Sequence, residues 1–205
     1  GSSVIRCAAV GNVGRGFSLD SSAAFACAAQ SNAACGVALS TTVLLDGCAV
    51  QGNALAGVDA YNESMSIRSR GHIVRGCSVS GNGSDGVRAD NNAGCLIVEN
   101  VVAGNMSSGI SVEKDCVIEG NHCRGNECGV TVNAVVLPAN VSGNRIQGNT
   151  AVSNLQAGIR VSGYTNFIAK NFASQNPTNY DIVAGNTYNA INFSSNSWPW
   201  ANINY

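Results

Sequence analysis

The sequence predicts an all-β fold, a parallel β-helix (solenoid) of about eight to nine coils. Three observations predict it. First, an Asn followed three or four residues later by a small residue and a short apolar alternation recurs down the chain, most often every 21 or 22 residues. Second, aligning the chain on this Asn brings other positions into columns of small or β-branched residues with period-2 spacing, the pattern of short strands. Third, the repeats contain Gly and Asn at bends and no amphipathic helix.

The repeat itself comes first, because everything else is placed by it. The marker Asn stands at Asn12, Asn32, Asn53, Asn82, Asn105, Asn126, Asn154 and Asn176, at intervals of 20, 21, 29, 23, 21, 28 and 22 residues. Eight residues before it run Val4, Ala24, Leu45, Val74, Ile97, Ile118, Ile146 and Ile168. Three before it run Ala9, Ala29, Val50, Val79, Val102, Cys123, Ala151 and Ala173. Leucine-rich repeats have a similar period, but they need several Leu per repeat and a helical return. Each repeat is therefore read as one coil, stacked on the next at about 4.8 Å. A single domain is expected over residues 1–205, with coils from about 4 to 190 and a C-terminal cap over about 191–205. Both Trp, Trp198 and Trp200, fall in that cap, where a hydrophobic lid is expected.

The nine cysteines belong to the same register. Five residues before the marker run Cys7, Cys27, Cys48 and Cys77, then Asn100, Asn121, Asn149 and Asn171. Ten before it, His72, Cys95 and Cys116 share a column with Asn144 and Asn166, while Cys35 and Cys128 precede the turn Gly. Thiols that swap with Ala, Val and Asn at the coil period read first as buried packing groups. Strained bridges between coils and a metal ladder are the alternatives, the latter disfavoured because metal ligands converge on a point. No metal or other cofactor is expected. Stacked carboxamides at an inward bend satisfy one another and the backbone, which accounts for the 26 Asn.

Composition narrows the function classes. Only 11% of the 205 residues are charged and the formal net charge is −1, so nucleic acid and anionic membranes lack the clustered Lys and Arg they need. At 45% apolar the chain is not disordered, yet no apolar run reaches the roughly 20 residues of a membrane span.

The two long intervals place about seven extra residues each after a Gly-Val strand, over about 61–71 and 133–143, three coils or roughly 15 Å apart. Insertions on one face of a solenoid commonly wall a binding site. Between them, the outward positions of the adjoining strand are Asp59, Arg88 and Ser111, with Tyr61, Asp90 and Glu113 two residues on. These six form the candidate binding set. Asp59, Asp90 and Glu113 are the weak catalytic candidates, since two carboxylates about 5 Å apart can do acid–base work on a glycosidic bond. Arg88 is placed to grip a sugar carboxylate bidentately. The alternative is a solvated strand face with ordinary cross-strand ion pairing.

The repeat Ile/Val-x-x-Cys/Asn-x-x-x-Gly-Asn-x-x-x-Gly-Ile/Val-x-Val, cleanest over Ile97 to Val112 and Ile118 to Val132, resembles the right-handed parallel β-helix proteins of the pectin-lyase-like superfamily. The segment from Asn176 to Ile182 and the ending Pro199-Trp200-Ala201-Asn202 also look like the closing part of bacterial β-helix proteins. The resemblance implies contact with extracellular polysaccharide and a secreted or cell-surface location. It implies no catalytic residues. The adjacent aspartates, His-Gly and Arg-x-Lys of polygalacturonase-type enzymes are missing, as is the Arg-x-Pro-x-x-Arg of pectate lyases. The leading expectation is a polysaccharide-contacting domain. A structural rod, self-associating end to end at the N-terminal coil, comes second; a lyase or hydrolase comes third. The chain starts directly on a strand, so either a longer protein precedes it or a partner covers that coil.

Overall fold

The computed structural model describes residues 1–60, 71–133, 142–189, 191–192 and 201–204. Strands Ser3–Ile5, Ala8–Val10 and Phe17–Leu19 form the first coil, and Ala23–Phe25, Ala28–Gln30 and Val37–Leu39 stack on them in parallel. The pattern repeats until Phe167–Ala169, Phe172–Ser174 and Thr178–Ile182 close the eighth coil. Among the described residues this gives three parallel sheets of nine, ten and eight strands, here the first, second and third in the order the chain visits them. A partial ninth coil continues the first two sheets through Thr187–Tyr188 and Asn202–Asn204. The lid expected at Trp198 and Trp200 lies outside the described residues. Among those residues no helix is long and apolar enough to cross a membrane.

The expected columns are the observed register. In the first sheet Leu45 pairs with Val74, Val74 with Ile97, Ile97 with Ile118 and Ile118 with Ile146. In the second, Val50, Val79, Val102, Cys123 and Ala151 stand in line. These side chains point into the solenoid and are essentially free of water, as are Val58, Val87, Ile110, Val130 and Ile159 of the third sheet. Burying each branched side chain contributes about 2 kcal/mol. Strands three residues long could not hold a flat face on their own, so the core exists only through stacking.

The bends explain the Asn and Gly content. At the three corners of most coils a residue in the left-handed region turns the chain, and the residue after it points inward. Glu99 (φ 56°) precedes Asn100, Gly104 (φ 62°) precedes Asn105, and Asp115 (φ 53°) precedes Cys116. The inward residue's backbone N–H has no partner within its own coil, so the next coil must supply one. The Asn100 N–H donates to Asn121 Oδ1 at 3.0 Å, and Asn121 in turn donates through Nδ2 to Ile97 O at 2.8 Å and Asn149 Oδ1 at 3.0 Å. The marker column runs unbroken in the same way from Asn12 through Asn176, which ends by donating to Asn179 Oδ1 in its own coil.

Cysteine and histidine fill the same role where they replace Asn. The Cys27 N–H points to Cys48 Sγ at 3.4 Å, and the Val43 N–H donates to His72 Nδ1 at 3.3 Å. All nine cysteines are free thiols, and all but Cys7 are buried. Burial pushes Cys123 up to about 12 and lowers His72 to about 4. His72 is thus a neutral cap for a backbone N–H.

Candidate functional site

The outer face of the third sheet is built from residues that alternate with the core. The column at its middle is Ser18, Ala38, Asp59, Arg88, Ser111, Thr131, Arg160 and Asp181, paired rung by rung. Strand alternation sends these residues away from the core that Val58, Val87 and Ile110 fill. Ser18 on the terminal rung is exposed, whereas Ser111 and Thr131 inside the stack are 3% and 8% exposed.

On this face the polar groups are tied to one another. The Nε and Nη2 of Arg88 donate to the two carboxylate oxygens of Asp59, at 3.1 and 3.0 Å. This pair is the expected cross-coil neighbour contact. It also means that the bidentate edge of the guanidinium, which would grip a sugar carboxylate, is already held by Asp59. Three coils on, Arg160 is likewise bound, through Nε to Asp181 Oδ2 at 3.1 Å and through Nη1 to Gln156 Oε1 at 3.2 Å.

Asp90 and Glu113 do not face each other in register. The pairing runs Val87 with Ile110, Arg88 with Ser111 and Ala89 with Val112, then shifts so that the next pair is Ala93 with Lys114. Three residues therefore oppose one, a bulge that re-aims the side chains around it. Asp90 Oδ1 instead accepts from Ser111 Oγ at 3.1 Å and Asn133 Nδ2 at 3.3 Å, and Asn133 also donates to Ser111 Oγ at 2.9 Å. Burial raises the Asp90 carboxyl above its ordinary value; those two hydrogen bonds oppose the shift, and the charges of Glu113 and Asp85 add to it. Glu113 is half-buried. Tyr61 and most of both insertions, residues 61–70 and 134–141, lie outside the described residues.

Three further residues belong to this face, and sequence reasoning does not single them out. Asp85 Oδ1 accepts the Ser108 N–H at 2.9 Å, and Ser108 Oγ lies 2.8 Å from Thr131 Oγ1. Asp85 and Ser108 precede the turn Gly of their repeats, in the column where Cys35 and Cys128 draw attention as packing groups. Asp85, Ser108, Thr131 and Ser111 are buried, with their polar atoms in these bonds. They fix the half-buried Asp59, Arg88, Asp90, Glu113 and Asn133 on rigid strands, carboxylate, guanidinium and amide groups able to hydrogen-bond a hydroxyl-rich ligand. Among the described residues no three His, Cys, Asp or Glu side chains gather as a metal ion would require.

The chain is similar in structure to the A-module of the mannuronan C-5 epimerase AlgE6 of Azotobacter vinelandii, with a TM-score of 0.78 and 16% identity over 100% of this chain and 58% of that one. It is also similar to a double mutant of the periplasmic alginate epimerase AlgG, with a TM-score of 0.59 and 16% identity over 89% of this chain and 43% of that one. The chain thus spans less than two thirds of either protein, and identities this low speak for the fold alone. No curated protein sequence matches it. Residues 26–174 match the family described as the right handed beta helix region. With most of its length inside that match and its strands wound as three parallel sheets, the chain belongs to the right-handed β-helix family.

Proposed function

We propose that this chain is a polysaccharide-contacting β-helix domain, and that its contact site is the outer face of the third sheet from Asp59 to Asn133. One observation carries the reading. The outer face of the third sheet gathers Asp59, Asp85, Arg88, Asp90, Ser108, Ser111, Thr131 and Asn133, in an otherwise sparsely charged molecule, into one hydrogen-bonded and ion-paired patch. Such a patch presents donors and acceptors at the strand spacing of about 4.8 Å, a distance comparable to the length of one sugar residue. The fold likeness to the AlgE6 and AlgG epimerases supports a polysaccharide partner of this kind. A secreted or cell-surface location goes with it.

The reading is for contact and makes no claim of turnover. Asp59 is spent on Arg88, and Asp90 is spent on Ser111 and Asn133, so neither is poised as a nucleophile. A glycan array probed with the parent chain and with the Arg88→Ala/Asp90→Ala double variant tests it. The parent is expected to bind at least one polysaccharide, and the variant to bind it at least tenfold more weakly. Binding that survives both substitutions rules out this face.

A further inference from the structure

We propose that the ninth rung of the second sheet is a binding slot for an extended peptide segment of the form Asn-x-Asn, filled here by the chain's own residues 201–204. The slot is separate from the face of the third sheet, and the proposal does not depend on the polysaccharide reading.

Its ground is the order of the strands. Through eight coils each strand of this sheet pairs with the one the chain lays down a coil later. At the ninth rung the order inverts. Asn202–Asn204 lies between Phe172–Ser174 and Ile191–Asn192, parallel to both, although Ile191–Asn192 comes earlier in the chain. The chain thus passes over one rung. The two flanking strands stand about 9.6 Å apart, twice the strand spacing, with room for one extended segment. Backbone edges facing such a gap accept a strand by main-chain pairing.

Side chains decide which segment fits. Two carboxamide ladders reach this rung, and both end on the inserted strand. In the first, Asn171 donates its N–H at 3.2 Å and its Nδ2 at 3.0 Å to Asn202 Oδ1. In the second, Asn176 donates to Asn179 Oδ1, and Asn179 Nδ2 donates to Asn204 Oδ1. Asn202 is fully buried, and its Nδ2 donates to Ile168 O at 3.1 Å and Asn189 O at 3.0 Å. Ile203, between the two Asn, is engaged through its backbone: its N–H donates to Asn171 O at 2.7 Å, and its carbonyl accepts from Tyr180 Oη at 2.9 Å. Replacing either Asn would take an acceptor from Asn171 or from Asn179.

The segment also carries little of the apolar core. Its apolar side chains are Ala201 and the half-buried Ile203, so hydrogen bonds hold it more than burial does, and water can replace those bonds. Such a strand can leave as a unit while the coils stay stacked.

Hydrogen exchange on the parent chain is the first test. The N–H groups of Asn171 and Ile203, whose acceptors lie across the slot, are expected to exchange together, at least tenfold faster than the Asn121 N–H of the same ladder. Exchange of both as slow as that of Asn121 would mean that the segment does not leave, and overturns the proposal. The second test adds a fluorescent peptide of sequence 201–204 to the full-length Asn202→Ala/Asn204→Ala variant, whose own segment no longer matches the ladders. Anisotropy is expected to show saturable binding at millimolar peptide, at least tenfold tighter than to the parent, where the tethered segment competes. A control peptide with both Asn replaced by Ala should bind the variant at least tenfold more weakly. No binding to a folded variant, or equal binding of the two peptides, overturns the proposal; should the variant not fold, the exchange measurement decides.

Discussion

Asn32 passes its backbone N–H and its carboxamide Nδ2 to the same atom, Asn53 Oδ1, at 3.1 and 2.8 Å. Repeated from coil to coil, this double donation makes each Asn the acceptor for the coil before it and a donor to the coil after it. Removing an interior member therefore strands two donors at once, whereas removing the first member strands none.

Asn105→Ala should accordingly be severe. It takes the Oδ1 that accepts both the Asn82 N–H at 3.1 Å and Asn82 Nδ2 at 2.9 Å, and both donors are buried. The expected cost is about 3 kcal/mol, against less than about 1 kcal/mol for Asn12→Ala at the exposed end of the stack. Urea unfolding of the two variants side by side checks the contrast, and equal costs would mean the ladder does not stabilise through satisfied backbone donors.

His72 imposes a pH dependence with a defined sign. Its folded-state value near 4 lies below the ordinary 6.5, so the unfolded chain binds the proton more readily. Stability from this group is complete above about pH 6.5 and is lost as pH falls toward 4, by about 3 kcal/mol in all. His72→Asn restores the residue type found at Asn144 and Asn166 in the same column and keeps an acceptor for the Val43 N–H. In that variant the His72 share of the acid-side decline should disappear, read as a smaller loss of unfolding midpoint between pH 6.5 and 4 than in the parent.

Asp90 carries the opposite sign. Its carboxyl is raised, so the fold favours the protonated form, and the penalty for ionisation is fully present above the folded value and relieved as pH falls. Asp90→Asn retains an oxygen for Ser111 and Asn133 to donate to while shedding the charge. It should be at least as stable as the parent at pH 7.5 and lose that advantage near pH 4. Lower stability at pH 7.5 would show that the carboxylate contributes more through its hydrogen bonds than it costs by burial.

Gly86 and Gly104 separate two reasons for glycine. A Cβ on Gly86 would sit 2.6 Å from Gly109 O and 2.8 Å from Asn105 Nδ2, so Gly86→Ala should cost about 1–3 kcal/mol through overpacking. Gly104 has φ 62° with nothing within 4 Å of such an atom, and Asn tolerates that conformation. Gly104→Asn should leave the thermal midpoint near the parent's, and Gly86→Asn should not.

The thiols can be counted directly. A maleimide reagent applied to the native chain should modify Cys7 alone, and all nine cysteines after unfolding, as read by intact mass. Rapid modification of Cys48 or Cys77 in the native chain would contradict their burial.

Sequence alone determined the solenoid, its coil boundaries and the inward columns, including the exchange of Cys and Asn at one bend. These are legible because stacking in parallel register forces chemically equivalent residues to recur at the coil period, and a period survives in one dimension. It also placed Asp59 beside Arg88, since both sit inside an unbroken rung. Tertiary structure alone decided what those side chains do. The bulge after Ala89 breaks the register between Asp90 and Glu113, and Asp90 takes its hydrogen bonds from Ser111 and Asn133; the 23-residue interval between Asn82 and Asn105 carries the two extra residues but not where they sit or how they turn the side chains. That Arg88 gives its fork to Asp59 is likewise a matter of side-chain geometry across coils 29 residues apart. That Asp85 accepts the Ser108 N–H and Ser108 meets Thr131 also depends on side-chain geometry across coils, which a column of letters does not carry.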